Sequence, residues 1–114
     1  MDKRANEELI EYILLSIKLI EERFDRIDSV DDFMDTKLGL EKLDAISMRL
    51  QTIGEAIKNM LKRDSAYMES FADKSYWSDI IKFREIISHH YIDIDSEIIF
   101  DICQEDIGVL KKFF

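Results

Sequence analysis

Three side chains with complementary chemistry stand close together in the segment FREIISHHYIDID, residues 83–95. Arg84 is followed five residues later by His89, and Tyr91 comes two residues after that. Histidine can act as a general base near neutral pH, and arginine can bind a phosphate through two N–H groups. Together they could cleave a phosphodiester bond without a metal ion. The structural alternative is that Arg84 pairs with a nearby carboxylate while His89 and His90 cap a helix end.

A single ideal α-helix does not bring these side chains together. At 100° per residue, Arg84 and Tyr91 share a face, whereas His89 lies about 140° away from Arg84. We therefore expect one of two arrangements. Either the helix ends near Ser88, or a second copy of the segment completes the site across a dimer.

Two other groups of residues are weaker candidates for a functional site. One group of acidic residues near the C-terminal end of the chain could bind a metal ion, but acidic residues on a helix are more often a solvated face. Two adjacent aromatic residues could stack on a base, although aromatics at the start of an amphipathic helix are typical of a core. We therefore predict no metal site and no cofactor. The acidic set is Asp101, Glu105 and Asp106, and the aromatic pair is Tyr76 and Trp77.

The composition predicts one helical domain that covers residues 1–114. The chain is 46% hydrophobic, so one core is feasible. It has no proline and three glycines, whereas β-sheets need turns that favour these residues. The net charge of −9 disfavours broad, non-specific phosphate binding, yet it allows a small local basic site and favours a partner with a positive surface.

The sequence also predicts a cytoplasmic protein that does not enter a membrane. No segment approaches 20 apolar residues, and Glu7, Glu8 and Glu11 interrupt the stretch where a signal peptide would be apolar. Cys103 is the only cysteine, so no internal disulfide can form and a reducing compartment fits. Without triad-like companions, Cys103 is expected to be a buried apolar residue.

Hydrophobic periodicity predicts four amphipathic helices. The first runs from about residue 5 to 27, and the second begins near Thr36. The third begins near Trp77 with Ser75 as its cap, and the last runs over residues 96–112. The apolar stripes of the first two helices are Ile10, Ile13, Ile17, Ile20, Phe24 and Ile27, then Leu43, Ile46, Leu50, Ile53, Ile57 and Met60.

The segments that connect the helices, and one glycine within a helix, allow further predictions. The sequence DSVDD should form a turn with Ser29 or Asp31 as a cap, and residues 62–75 should form a polar connection with one short helical turn. Gly54 inside the second stripe indicates close approach of another helix or a ligand. Asp93 or Asp95 should cap the last helix, and Lys111 and Lys112 suit its C-terminus.

The four helices predict an all-α bundle. The first two have more apolar surface than one helix–helix seam needs, which indicates a dimer.

Several of these motifs occur together in the order of a known family. The stretch RLQTIGEAIKNM is followed by YWSDIIKFREIISHHYIDIDSEIIFDICQEDIGVLKKF. In order and spacing, they resemble the HepT-type branch of the HEPN superfamily, over about Ile10 to Phe113. The resemblance rests on the R-L-x-x-I-G-E-A stretch, a tryptophan that opens the third helix, and then Arg, four residues, His, one residue, Tyr.

The resemblance implies an antiparallel four- to five-helix bundle that is HEPN-like and dimeric. It implies a metal-independent ribonuclease, the toxin of a type VII-like HEPN/MNT toxin–antitoxin pair. The implied partner is a minimal nucleotidyltransferase antitoxin, which silences the toxin by transferring AMP to the motif tyrosine. Carried over by position, Arg84 would steady the RNA phosphate, His89 would transfer protons, and Tyr91 would be the modified hydroxyl.

Two positions depart from the family pattern. Glu85 stands where members have Asn or Asp, and its carboxylate would repel RNA phosphate unless it pairs with Arg84. His90 stands where many members have glycine, and it would either assist proton transfer or pack. These two residues are therefore accessory candidates.

Two other functions remain open at the level of sequence. The chain could be a non-catalytic subunit of a minimal nucleotidyltransferase, which binds a nucleotide or presents substrate. It could also be a purely structural helical dimer. RNA cleavage by the purified protein would separate the ribonuclease from the non-catalytic subunit.

Overall fold

The computed structural model describes residues 3–89 and 95–114, which are almost entirely helical and contain no β-strand. The predicted all-α class is therefore confirmed. No helix within these two ranges is long and apolar enough to cross a bilayer. The elements are α1 (Lys3–Phe24), α2 (Val30–Met34), α3 (Lys37–Arg63), α4 (Ser65–Glu69), α5 (Lys74–His89), α6 (Ser96–Asp101), a π-helical turn (Ile102–Asp106) and α7 (Ile107–Phe113).

The long helix α3 lies at the centre of the bundle and contacts α1, α2, α4, α5 and α6. Its predicted apolar stripe from Leu43 to Met60 is buried throughout, as the 3.6-residue period requires. In α1, Ile13, Ile17 and Ile20 are fully buried, while Ile10 and Phe24 are half-buried at the edge of the core. The scaffold that carries the candidate site is therefore α3, with α5 packed along it.

The start of α3 is as predicted, but the turn before it is a helix. Thr36 Oγ1 accepts a hydrogen bond from Gly39 N at 2.9 Å, which caps α3. The predicted DSVDD turn is instead the entry into the short helix α2, with Ser29 as its N-cap residue. Asp32 Oδ2 accepts a hydrogen bond from Ser29 N at 3.2 Å. The turn continues as a helix because Phe33, fully buried, anchors it to the core.

The helix α5 begins three residues before the predicted position. Its first residue is Lys74, and Asp73 Oδ1 accepts a hydrogen bond from Tyr76 N at 3.0 Å. The prediction of Ser75 as the cap is therefore wrong, because the aspartate two residues earlier satisfies the free backbone N–H.

The connection between α3 and α5 contains the predicted short helical turn, α4, but it is not purely polar. Met68 and Trp77 are fully buried, and Trp77 Nε1 donates a hydrogen bond to the Met68 carbonyl at 2.9 Å. This bond satisfies the indole N–H inside the core, so the connection contributes to packing as well as to chain reversal.

The last helix starts at the predicted residue, Ser96, but is interrupted. Asp95 caps it, since its Oδ1 accepts hydrogen bonds from Glu97 N at 3.0 Å and Ile98 N at 3.2 Å. Asp93, the alternative cap, lies outside the described residues. The π-helical turn was not predicted. Because its hydrogen bonds join residues five apart, it returns Ile107 towards the face of Ile102, and both are buried.

Candidate functional site

The position of Arg84 is set by a glycine on the facing helix. A Cβ atom on Gly54 would overlap Arg84 Cβ, and it would lie 2.9 Å from Arg84 Cγ and 3.2 Å from Arg84 Cδ. The stem of the arginine therefore passes directly over the α3 backbone. The close approach predicted at Gly54 is confirmed, and the approaching element is α5.

The head of the same arginine is held by the next residue of α3. Arg84 Nη2 lies 2.5 Å from Glu55 Oε2, a short charge-assisted ion pair. The Arg84 side chain is 24% exposed and that of Glu55 is 48% exposed. Arg84 thus pairs with a carboxylate, as the structural alternative expected. A guanidinium has five N–H donors, however, and this ion pair engages only the Nη2 end of the group.

The other residues of the motif are described only in part. Glu85 is exposed on α5, and the carboxylate paired with Arg84 is that of Glu55 rather than of Glu85. His89 is the last residue of α5. His90 and Tyr91 lie outside the described residues. The structure thus brings Arg84 together with Gly54 and Glu55 and leaves the assembly of Arg84, His89 and Tyr91 as a prediction.

A small apolar cavity of about 30 Å³ lies beside the Arg84 stem, between α3, α5, the π-helical turn and α7. It has room for about one water molecule and is far too small for a nucleotide. A nucleic acid would therefore have to approach the exposed part of the guanidinium from outside the bundle. The cavity is lined by Leu50, Ile53, Ile80, Phe83, Arg84, Ile87, Ile102, Asp106, Ile107 and Leu110.

The acidic set of the last helix behaves as a group of like charges. Asp101 and Glu105 are exposed and Asp106 is half-buried. Burial raises the pKa of Asp106 above its ordinary value, and the charges of Glu105 and Asp101 raise it further. Over residues 3–89 and 95–114, no group of three or more His, Cys, Asp or Glu residues is arranged to hold a metal ion.

The remaining sequence candidates lie in the core or pack against it. Trp77 is fully buried and stacks on Phe114 with ring centroids 5.8 Å apart, so its face is not available to a base. Tyr76 is half-buried against Trp77 and Phe113. Cys103 is half-buried, and burial raises the pKa of its thiol to about 12, which makes it a poor nucleophile.

Sequence reasoning did not single out Glu55. Its local signal was its position directly after Gly54, within the RLQTIGEA stretch. Glu55 and Arg84 are 29 positions apart, so no periodicity within one helix could connect them. The contact becomes visible only when α5 is packed on α3.

A family model described as "Ribonuclease HepT-like" matches residues 13–114. The chain is 31% identical over 103 residues to "Gamma-glutamylcyclotransferase and putative RNase" of Methanocaldococcus jannaschii, a match over 90% of this chain and 43% of that protein. It therefore spans less than half the length of that relative.

A second relative is matched over nearly its whole length. The chain is 30% identical over 112 residues to "Probable ribonuclease HepT" of Thermococcus cleftensis, covering 98% of this chain and 94% of that protein. No solved structure matches. The matched range contains α3 and α5 together with Arg84 and Glu55, and the chain belongs to the HepT-like ribonuclease family.

Proposed function

We propose that this chain is the ribonuclease toxin of a type VII-like HEPN/MNT toxin–antitoxin pair, cleaving RNA without a metal ion. The main support for this proposal is that Arg84 and His89 lie on one helix, α5, within the residues that match the ribonuclease family. Arg84 presents a partly exposed cation at the surface of an otherwise acidic chain. RNA phosphate is the ligand that suits it.

The proposed reaction is transfer of the phosphodiester to the neighbouring 2′-hydroxyl. His89 takes the proton of the 2′-hydroxyl, the 2′-oxygen forms a bond to phosphorus, and the bond to the 5′-oxygen breaks. The leaving 5′-oxygen takes up a proton from water, which gives a 2′,3′-cyclic phosphate and a 5′-hydroxyl. Arg84 stabilises the charge that builds on the phosphate oxygens in the transition state.

A homodimer would supply the complete site. The backbone of α5 is helical through His89, and positions 84 and 89 of a helix lie about 140° apart around its axis. Two copies of the motif that face each other could place the arginine of one copy beside the histidine of the other.

The test is cleavage of single-stranded RNA by the purified protein in the presence of EDTA. Wild type should cleave RNA, leave DNA of the same sequence intact and produce 2′,3′-cyclic ends. His89→Ala should lower the rate by about 100-fold or more, the usual scale for loss of general acid–base catalysis. Arg84→Ala should lower it by a comparable factor because it removes transition-state charge stabilisation.

The two accessory candidates can be tested in the same assay. His90→Ala at the wild-type rate would assign His90 to packing, whereas a slower His90→Ala would give it an accessory role in proton transfer. Glu85→Asn tests the other departure, and a faster rate would show that the carboxylate repels RNA. Activity that survives His89→Ala but is lost with EDTA would overturn the mechanism.

We further propose that a minimal nucleotidyltransferase partner silences the toxin by transferring AMP to Tyr91. The added phosphate would bring negative charge next to the Arg84 motif, and the nucleoside would block RNA. Incubation with that partner, ATP and Mg²⁺ should add adenylyl mass at Tyr91 and abolish cleavage. Equal silencing of Tyr91→Phe would exclude Tyr91 as the control point.

One observation favours a second candidate, a non-catalytic subunit that binds a nucleotide or presents substrate to the nucleotidyltransferase. Arg84 is already paired with Glu55, which reduces the positive charge it offers to RNA. Absence of RNA cleavage, together with saturable nucleotide binding that Arg84→Ala removes, would favour this candidate.

A further inference from the structure

We propose that Glu55 is a positioning residue for the ribonuclease reaction: with Gly54, it holds the Arg84 guanidinium in the orientation that meets the RNA phosphate. This inference rests on the proposed function. It gives a residue of α3 a role in the proposed reaction, whose other roles belong to residues of α5 and of the segment that follows it.

Because Gly54 has no side chain, the stem of Arg84 packs directly on the backbone of α3 and is constrained by that contact. The arginine Cβ, Cγ and Cδ lie within 3.2 Å of the point where a Gly54 Cβ would be. A larger residue there would displace the stem, whereas glycine lets it lie flat against the α3 backbone. The first half of the side chain thus has little freedom to change rotamer.

The head of Arg84 is constrained by the carboxylate one residue further along. Glu55 Oε2 lies 2.5 Å from Nη2, so the ion pair joins the end of the guanidinium to the same turn of α3 that supports the stem. One long side chain is therefore anchored at two points by two consecutive residues. The stem and one end of the guanidinium are thus held in place before any ligand arrives, which lowers the entropy lost when a phosphate binds.

The solvent exposure of the Glu55–Arg84 ion pair argues that Glu55 does more than stabilise the fold. About half of the Glu55 side chain and a quarter of the Arg84 side chain are exposed, and ion pairs at such positions contribute little to stability. The same exposure leaves part of the guanidinium open to solvent. An ion pair to a carboxylate at Nη2, with a quarter of the arginine side chain still exposed, is the arrangement expected of an arginine that is oriented for another anion.

The opposite role, in which Glu55 masks Arg84 from RNA, predicts the opposite result. If Glu55 only competes with phosphate, its removal should accelerate cleavage. If Glu55 orients Arg84, its removal should slow the chemical step while RNA binding stays the same or tightens, since one repulsive charge is lost.

The experiment compares Glu55→Gln and Glu55→Asp with wild type, using kcat and KM for single-stranded RNA. Glu55→Gln should lower kcat by at least about 10-fold, the scale expected when a catalytic group loses its orientation, without an increase in KM. Glu55→Asp, which keeps the charge, should recover part of kcat. The control is Glu41→Gln, which removes one charge from an exposed position of the same helix and should stay within about 2-fold of wild type.

Two readouts separate positioning from folding. The melting temperature of Glu55→Gln should stay within about 2 °C of wild type, because an exposed pair adds little stability. The side-chain Nε–H signal of Arg84 in a ¹⁵N NMR spectrum, assigned by its absence from Arg84→Lys, should be sharp in wild type and broadened in Glu55→Gln.

Each outcome decides between the alternatives. If wild type cleaves RNA and Glu55→Gln cleaves equally fast, Glu55 has no positioning role and the proposed function stands. A faster Glu55→Gln shows masking instead. Equal losses of activity and melting temperature in Glu55→Gln and Glu55→Asp show a structural role. A wild type that does not cleave RNA overturns the proposed function and this inference with it.

Discussion

Asp106 shows how one residue can make the stability of this fold depend on pH. It is half-buried at the end of the π-helical turn, and burial is the main cause that raises its pKa. The nearby charges of Glu105 and Asp101 act in the same direction. A carboxyl group whose pKa is raised in the folded state binds its proton more tightly there than in the unfolded chain. Ionised Asp106 therefore destabilises the fold at neutral pH.

We expect Asp106→Asn to raise the melting temperature at pH 7. The side chain makes no capping hydrogen bond to α7, so the amide loses no such contact. As the pH falls through the folded-state pKa of Asp106, wild type takes up a proton and recovers stability, so the advantage of the variant should shrink. Thermal unfolding between pH 7 and pH 4 measures this trend.

Because the chain has a net charge of −9, removing any carboxylate relieves some repulsion. Asp44→Asn, at an exposed position of α3, is the matched control and should give a smaller gain at pH 7. Equal gains for the two variants would assign the effect to net charge rather than to burial of Asp106.

At the scale of the elements, Gly54 and Gly108 offer a direct comparison. Both lie in helices, α3 and α7. A Cβ at Gly54 would overlap Arg84 Cβ and force α5 away from α3, whereas a Cβ at Gly108 would have no heavy atom within 4 Å. The same substitution should therefore have opposite effects at the two positions.

We expect Gly54→Ala to lower the free energy of unfolding by about 1–3 kcal/mol, because overpacking exceeds the gain in helix propensity. Gly108→Ala should raise it by about 0.5–1 kcal/mol through propensity alone. Urea unfolding of both variants gives the comparison. A stabilised Gly54→Ala would mean that α5 can move away from α3 without cost, and the anchoring of Arg84 would lose its basis.

The elements that followed from the sequence are those with a long apolar period. The stripe of α3, the stripe of α1 as far as Phe24 and the start of α3 near Thr36 could be predicted because 3.6-residue periodicity is a local property. The short helix α2 and the early start of α5 could not, because Phe33 and Trp77 exert their effect through burial in a core assembled from distant segments. The π-helical turn could not be predicted either, because the sequence pattern of the last helix is read with the ordinary α-helical period.

The candidate site also combines a feature that the sequence predicts with contacts that only the packing of the helices reveals. Gly54 could be identified as a point of close approach because glycine is costly inside a helix. Its neighbour Arg84 and the ion pair to Glu55 could not, since they depend on how α3 and α5 cross. The roles of His89, His90 and Tyr91 rest on the family resemblance and stay predictions.

The whole molecule has apolar side chains on its outside as well as a core. Tyr12 and Leu15 on α1, and Leu38, Leu40 and Met48 on α3, are between 37% and 61% exposed. Arg49 Nη1 donates a hydrogen bond to Ser16 Oγ at 3.4 Å, which places the middle of α1 beside the middle of α3. Leu15 directly precedes Ser16 in the sequence, and Met48 directly precedes Arg49, so both lie next to this contact between the helices. A second copy of the chain would remove such side chains from water.

We therefore expect the isolated protein to be a dimer with a shared site. Light scattering at micromolar concentration should give about twice the 13.5 kDa chain mass, at a dissociation constant ordinary for stable dimers. If Arg84 of one protomer acts with His89 of its partner, a mixed dimer of Arg84→Ala and His89→Ala keeps one intact site. Mixing the two inactive variants should then restore a substantial part of the wild-type rate, and covalent cross-linking before mixing should prevent this. A monomer by light scattering would remove the shared site. A dimer that shows no restoration after proven subunit exchange would place Arg84 and His89 of the same chain in each site.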